Sequence, residues 1–279
     1  MRVPVGSFEL LEPRSLREAL RLMHDRQPIR PVAGCTDIFV SLHFGTLGAT
    51  RFLNLWNLAE LRRIRRGRDV LSIGALATYR QITASPLVRA WLPILVSAAR
   101  EVGSVQIQNR GTLGGNIVNA SPAGDTLPVL AVADAVLVLG SLGSLRRVPL
   151  TSFYTGYRQT VMRPDELLLA IEIPPVEGCQ YYRKVGTRAA QAVSKVVIAA
   201  LRSPRPRVAL GSVAPTVVRL TKTEAVLAAG GSLEEAQAAL QTEIDPIDDI
   251  RSTAAYRRRV SANLLAAFWQ QTAHQERNA

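Results

Sequence analysis

Between Ile107 and Thr126 the chain reads IQNRGTLGGNIVNASPAGDT, and this stretch limits the fold more than any other. Gly111, Gly114, Gly115 and Gly124 lie among Asn109, Asn116, Asn119, Thr112, Ser121 and Thr126, and the run closes on Asp125. Apolar residues are sparse, and neither a 3.6-residue nor a 2-residue period survives, so the pattern predicts a loop rather than a packed helix or strand. Glycine permits positive φ and close approach, while amides and hydroxyls offer hydrogen bonds to whatever arrives. A loop of this kind suits an anionic cofactor held by main-chain N–H groups. An elaborate turn with no ligand is the competing reading.

A second stretch, Pro31 to Ser41 (PVAGCTDIFVS), has a short apolar approach, Gly34, then Cys35, Thr36 and Asp37 ahead of Ile38. Thr36 and Asp37 predict a turn feeding a helix start, where free N–H groups and the helix dipole favour a phosphate. Neither stretch fits G-x-G-x-x-G or G-x-x-x-x-G-K-[ST], which argues against a Rossmann dinucleotide unit and a P-loop NTPase. Two phosphate-type loops about eighty residues apart point to another way of holding a dinucleotide.

Two cysteines, Cys35 and Cys179, cannot ligate an iron–sulfur cluster, and His24, His43 and His274 form no zinc signature. Any metal chemistry must then sit on another chain. Free thiols are the expectation for a cytosolic protein, and no apolar run has signal-peptide or membrane-span length, which makes the cytoplasm the default location. The formal charge of +12 includes runs at Arg62–Arg68, Arg202–Arg207 and Arg257–Arg259. No aromatic interleaving accompanies them, so a solvated surface or a face for acidic partner chains is expected, not a nucleic-acid site.

Along the chain, Ser15-Leu16-Arg17-Glu18 predicts a capping box and a helix; Ile29–Ala33, Thr50–Asn57 and Val70–Ala75 predict strands. A basic loop or short helix is expected from Trp56 to Arg68 and a helical or loop passage at Thr78–Ser85. A helix from Ser85-Pro86 to Val102 is expected to kink or restart at Pro93. Leu127–Ala133 predicts a short helix, and Ala135–Leu139 and Glu166–Ile173 predict strands. Pro174-Pro175 with Glu177-Gly178 predicts a domain boundary. Beyond it, Gln180–Val185, Val193–Arg202 and Arg207–Ser212 predict three antiparallel strands. Helices follow at Thr221–Ala228, at Ser232–Gln241 with a Ser232/Glu235 capping box, and at Ser252–His274. The last carries Tyr256, Val260, Leu264, Ala267 and Phe268 near one face.

The segments VAGCTD, RGTLGGNIVNASPAGDTLPVLAVADAVLVL, YRQTVMRPDELLLAIEIP, YYRKVGTRAAQAVSKV and RVALGSVAPTVVRL follow in one register from about residue 4 to 270. In them the chain resembles the FAD-binding medium subunit of the molybdenum hydroxylases, the xanthine dehydrogenase and carbon monoxide dehydrogenase type. TLGGNIxNASPAGD is the most specific of these. The resemblance implies an α/β (α+β) fold. A two-subdomain FAD-binding domain of the vanillyl-alcohol-oxidase/PCMH type (1–176, subdomains about 1–57 and 58–176) precedes a small α+β C-terminal domain (177–279) with a three-stranded antiparallel sheet and helices. It also implies molybdopterin on a large partner subunit, [2Fe-2S] clusters on a small one, and a dimer of heterotrimers. Electrons would pass through FAD to NAD, a quinone or another acceptor. With two cysteines and no insertion, the benzoyl-CoA reductase version with its extra cluster is excluded.

By the same resemblance Pro31, Val32, Ala33, Gly34, Cys35, Thr36, Asp37 and Ile38 wrap one side of the FAD diphosphate. Thr112, Leu113, Gly114, Gly115 and Asn116 wrap the other, the glycines bringing backbone N–H groups to the phosphates. Relatives often carry glycine where this chain has Cys35, and a redox thiol there is the alternative. Asp125 matches a position that binds the nucleotide part of the cofactor, with capping of the following helix as the alternative. Leu168 matches a flavin-packing position. Lys184 matches one near the isoalloxazine, where a cation stabilises the reduced anion; a surface lysine is the plain alternative. Val102 stands where some relatives stack an aromatic on adenine. No residue qualifies as general acid, base or nucleophile, as expected where the cofactor does the chemistry. A stand-alone flavin reductase of the same wider fold and a cofactor-less assembly module are the rival readings.

Overall fold

The computed structural model describes residues 7–189 and 191–273. The chain opens with β1 (Glu9–Leu11), α1 (Leu16–Asp25), β2 (Arg30–Val32), α2 (Ile38–His43) and β3 (Arg51–Asn54), and the strands form a parallel sheet in the order β1-β3-β2. Ser15 Oγ accepts from the Glu18 N–H and starts α1, which buries Ala19 and Met23. The expected capping box is only half made, because the Glu18 carboxylate accepts from the Arg14 N–H at 2.7 Å instead.

A 3-10 turn at Ala59–Arg62 leads to β4 (Ile64–Arg66) and β5 (Leu71–Gly74). The basic run is thus part short helix, ending at Arg62, and part edge strand, Ile64–Arg66, with Arg63, Arg65, Arg66 and Arg68 exposed. Charged side chains are a common guard for an exposed sheet edge. α3 (Tyr79–Ala84) carries a full capping box between Thr78 and Gln81. α4 (Pro86–Trp91) and α5 (Pro93–Glu101) are the expected helix with its restart at Pro93, each with proline in its first turn. α6 (Val105–Arg110) and α7 (Leu113–Asn119) follow, then α8 (Leu127–Val132) and β6 (Val136–Gly140). β7 (Leu145–Pro149), the hairpin β8 (Tyr154–Gly156) and β9 (Gln159–Thr160), and β10 (Leu167–Ile173) complete this unit. Its antiparallel sheet runs β4-β5-β10-β6-β7.

The glycine-rich stretch is therefore a loop only in part: it is helical through Arg110 and again over Leu113–Asn119, and turns without helix from Ala120 to Thr126. Its helices are short and capped by side chains, Ser104 Oγ accepting from the Ile107 N–H and Thr112 Oγ1 from the Gly115 N–H. Periodicity fails because one turn of helix has no room to express it.

After Pro174-Pro175 come β11 (Cys179–Val185), β12 (Val196–Arg202), β13 (Arg207–Gly211) and β14 (Val218–Arg219). The sheet is four-stranded, not three; β14 is only two residues long, too short to register as alternation in the sequence. α9 (Thr221–Ala228), α10 (Leu233–Glu243) with its Ser232/Glu235 capping box, and α11 (Ala254–Thr272) cover one face. On α11 Leu264 and Phe268 of the predicted stripe are buried and Val260 packs beside them, whereas Tyr256 is exposed, and Arg257, Ser261, Leu265 and Thr272 complete the buried face. His274, the expected end of this helix, lies outside the described residues.

β12 joins the two units. Val196, Ile198 and Ala200 enter the core under α9–α11, while Ala199 and Leu201 enter the core around α5 and α8. Successive strand side chains point to opposite faces, so a strand buried on both sides reads as one apolar run. The seam is also pinned by charge: Asp134 accepts from Arg207 and Arg219, each at 2.8 Å.

Candidate functional site

The two stretches singled out in the sequence meet. At Gly34 an added Cβ would lie 1.8 Å from the Arg110 carbonyl oxygen, so the β2–α2 turn rests directly on the C-terminal end of α6. The second stretch is bolted to the segment after β5. Gly114 N–H donates to Ala75 O (2.8 Å), Leu113 N–H to Ala77 O (3.0 Å) and Tyr79 N–H to Gly111 O (3.2 Å). Between the two opens a cleft of about 390 Å³, within the usual range for a small-molecule site.

Pro31 through Ile38 line this cleft, with Val102, Thr112, Gly114, Gly115, Asn116 and Leu168. Leu113, Asp125 and Lys184 do not. Leu113 is fully buried in the core with its N–H already used. The other two form an ion pair behind the cleft, Lys184 Nζ to Asp125 Oδ2 at 2.7 Å, with side chains 6% and 10% exposed. Lysine there is no surface residue. Nor does Asp125 cap α8, whose N-cap is Thr126 with no side-chain cap bond.

The first turn carries a row of free N–H groups. None of the hydrogen bonds among the described residues uses the N–H of Gly34, Cys35, Thr36 or Asp37. The N–H groups of Gly114 and Gly115, expected to face phosphates, are engaged with Ala75 O and Thr112 Oγ1. Glycine is needed at 114 for a different reason: a Cβ would lie 2.6 Å from Ala75 O. Asn119 Nδ2 donates to Asp37 Oδ1 (3.1 Å) and Arg158 Nη1 to Asn119 Oδ1 (2.7 Å), tying the turn to α7.

Cys35 has φ +61°, a conformation natural to glycine and costly for other residues by about 1–2 kcal/mol. Burial raises its thiol pKa, with the nearby Arg110 charge opposing more weakly, and the S–H points at Ala33 O (3.4 Å). That is the opposite of an activated thiolate. Cys35→Gly is expected to stabilise the protein by about 0.5–1 kcal/mol, the relief of strain less the added unfolded-state entropy, while Cys35→Ala keeps the strain. Chemical denaturation of both variants checks this; a loss of stability in Cys35→Gly would refute it.

Sequence reasoning missed several walls of the cleft, among them Tyr79, Met162 and Glu166. Glu166 is buried and held by Arg146 through bonds of 2.6 and 2.8 Å, which lower its pKa and fix the turn before β10. The arginine-rich run gives one anchor. Arg62 donates to Leu76 O (3.3 Å) and to Trp56 O, while Trp56 is flanked by the Arg62 and Arg110 guanidinium groups at 3.9 and 3.8 Å. A capped helix start at Thr78 was the available signal for Tyr79; nothing local marked the others.

Fold and cleft together define a two-unit cofactor-binding protein whose polar contacts come from backbone N–H groups and small side chains. The family described as "FAD binding domain in molybdopterin dehydrogenase" matches residues 6–176, and that described as "CO dehydrogenase flavoprotein C-terminal domain" matches residues 181–272. The chain belongs to this family of FAD-binding dehydrogenase subunits, and its cofactor is FAD. It is 29% identical over 263 residues to the glyceraldehyde dehydrogenase medium chain of Sulfolobus acidocaldarius, covering 91% of this chain and 94% of the relative. It is 31% identical over 221 residues to the xanthine dehydrogenase FAD-binding subunit of Escherichia coli O157:H7, covering 75% of each. A solved carbon monoxide dehydrogenase from Hydrogenophaga pseudoflava superposes with a TM-score of 0.90 at 27% identity, over 98% of this chain and 100% of that one.

Among the described residues no helix is long and apolar enough to cross a membrane, and no group of three or more His, Cys, Asp or Glu side chains could hold a metal.

Proposed function

We propose that this chain is the electron-transfer subunit of a multi-subunit molybdenum-containing hydroxylase or dehydrogenase. It takes electrons from [2Fe-2S] clusters on a small partner subunit and delivers them to an external acceptor such as NAD or a quinone. Substrate is oxidised at a molybdopterin centre on a large partner subunit. The relatives named as medium chains, and a solved carbon monoxide dehydrogenase described by its molybdenum cofactor, support this division of labour. A dimer of heterotrimers goes with the reading, as does the cytoplasm, where the thiols of Cys35 and Cys179 would stay reduced.

One observation carries it: the contact of Gly34 with Arg110, which closes two distant turns around one cleft and leaves a row of unused N–H groups on its wall. FAD, when bound, supplies the exchange between single-electron and two-electron carriers. The chain's own residues orient and screen it. Pro31–Ile38 would hold the diphosphate by the N–H groups of Gly34–Asp37, with Thr112, Gly115 and Asn116 opposite. Val102 and Leu168 give apolar contact, and Leu113 contributes by supporting the turn from below. Asp125 and Lys184 stand as a charge pair behind the cleft wall toward the flavin end.

The purified complex is expected to release one FAD per copy of this chain on denaturation, read from its visible absorbance, with molybdenum and iron only on the other subunits. A colourless complex, or metal travelling with this chain, would overturn the reading.

A further inference from the structure

Four buried side-chain polar atoms among the described residues have no hydrogen-bond partner, and three of them (Asp125 Oδ1, Gln180 Oε1 and Tyr182 OH) belong to the seam between the two units. Gln180, Tyr182 and Lys184 share one face of β11, two residues apart. Gln180 Nε2 reaches Trp91 O at 3.4 Å at one end, and Lys184 Nζ reaches Glu101 O at 3.0 Å at the other. Tyr182 lies between them, its phenol held protonated by burial and by the charges of Asp125 and Glu101.

A buried carboxylate oxygen and a buried phenol left unpaired are each costly, so their shared seam calls for a molecule that satisfies both. One water would serve both: its oxygen would accept from the Tyr182 O–H, and one of its hydrogens would go to Asp125 Oδ1. We propose that Tyr182 is a positioning residue, acting through one such buried water to keep Asp125 ionised and thereby to hold the Lys184 ammonium in place. The phenol supplies a hydrogen bond to the charged form of the carboxyl, which favours that form. Asp125 is acted on by Lys184 of β11, by Glu101 of α5 and by the Ser194 hydroxyl just before β12, while its own charge acts on the phenols of Tyr79 and Tyr182; Arg183 acts on Glu101. Burial raises the Asp125 pKa to about 6, so a modest loss of support carries the carboxyl toward neutrality.

The test has two readouts, of which only the second rests on the flavin reading above. In the full chain labelled with 13C at aspartate carboxyl carbons, the Asp125 titration, identified by its absence in Asp125→Asn, is expected to move up by about one pH unit in Tyr182→Phe. In the FAD-loaded complex, the midpoint potential plotted against pH is expected to bend at the Asp125 pKa. That bend should shift upward by the same amount in Tyr182→Phe and disappear in Asp125→Asn. An Asp125 titration unmoved in Tyr182→Phe overturns the proposal, as does a high-resolution map in which Asp125 Oδ1 bonds directly to the cofactor with no intervening water. A complex without FAD removes the function reading but leaves the carboxyl titration as a complete test.

Discussion

Gly34→Ala is expected to strip the purified protein of its yellow cofactor. The new Cβ would sit 1.8 Å from Arg110 O and 2.5 Å from Arg110 C, and both are backbone atoms that cannot rotate away. The β2–α2 turn must then lift off α6, carrying the unused N–H groups of residues 34–37 out of register with Thr112 and Asn116. Forcing extra volume into a closed contact typically costs about 1–3 kcal/mol, and a clash this deep belongs at or above the upper end. FAD affinity should fall at least about tenfold beyond that, because each misplaced donor in a backbone cradle loses a charge-assisted hydrogen bond. Gly48→Ala and Gly143→Ala, where an added Cβ meets nothing within 4 Å, are the controls and should behave as the parent. FAD content per chain and a denaturation midpoint decide it. Full occupancy and an unchanged midpoint in Gly34→Ala would mean the two turns do not need each other.

Lys184→Met is expected to be the most destabilising change in the seam, and the size of the loss should depend on pH. Among the described residues the ammonium is the only charged group hydrogen-bonded to this carboxylate, which is 10% exposed; removing one member of such a pair typically costs about 3–5 kcal/mol. The sign of the pH effect follows from Asp125. Its folded pKa, about 6, lies above the ordinary 3.8, so this carboxyl favours the folded state when protonated. That contribution is complete below about 3.8 and lost as pH rises through about 6. At pH 8 the variant must bury an unpaired carboxylate or force a proton onto it, whereas at pH 5 Asp125 is already largely protonated and less is lost. The loss in Lys184→Met should therefore be larger at pH 8 than at pH 5. The double variant Asp125→Asn with Lys184→Met should recover part of it. Equal losses at both pH values, with no recovery in the double variant, would remove the pair from the account.

Much of the element order was legible in the chain itself. Prolines at 86 and 93, the Ser232/Glu235 box and the alternation of Glu166–Ile173 each act within a few residues, so their consequences appear locally. The glycine-rich motif was legible as a cofactor loop by resemblance, yet its backbone was misread, because helices of one or two turns are held by caps and tertiary bonds rather than by an apolar stripe. The reason for Gly114 was misread too. Its constraint comes from Ala75, nearly forty residues earlier, which no local pattern encodes.

What the sequence determined by itself is membership of the family of FAD-binding dehydrogenase subunits and most of the element order. What only the tertiary structure decided is which residues of the cofactor motifs face the cleft. Leu113, Asp125 and Lys184 belong to the motifs but point into the core or across the domain seam, and a row of four free donors is found on the first turn while Gly114 and Gly115 of the second are engaged. A motif specifies residue types along one dimension. Which N–H remains unpaired, and which carboxylate meets which ammonium, depends on contacts between segments 59 to 82 residues apart, fixed only when the two units pack.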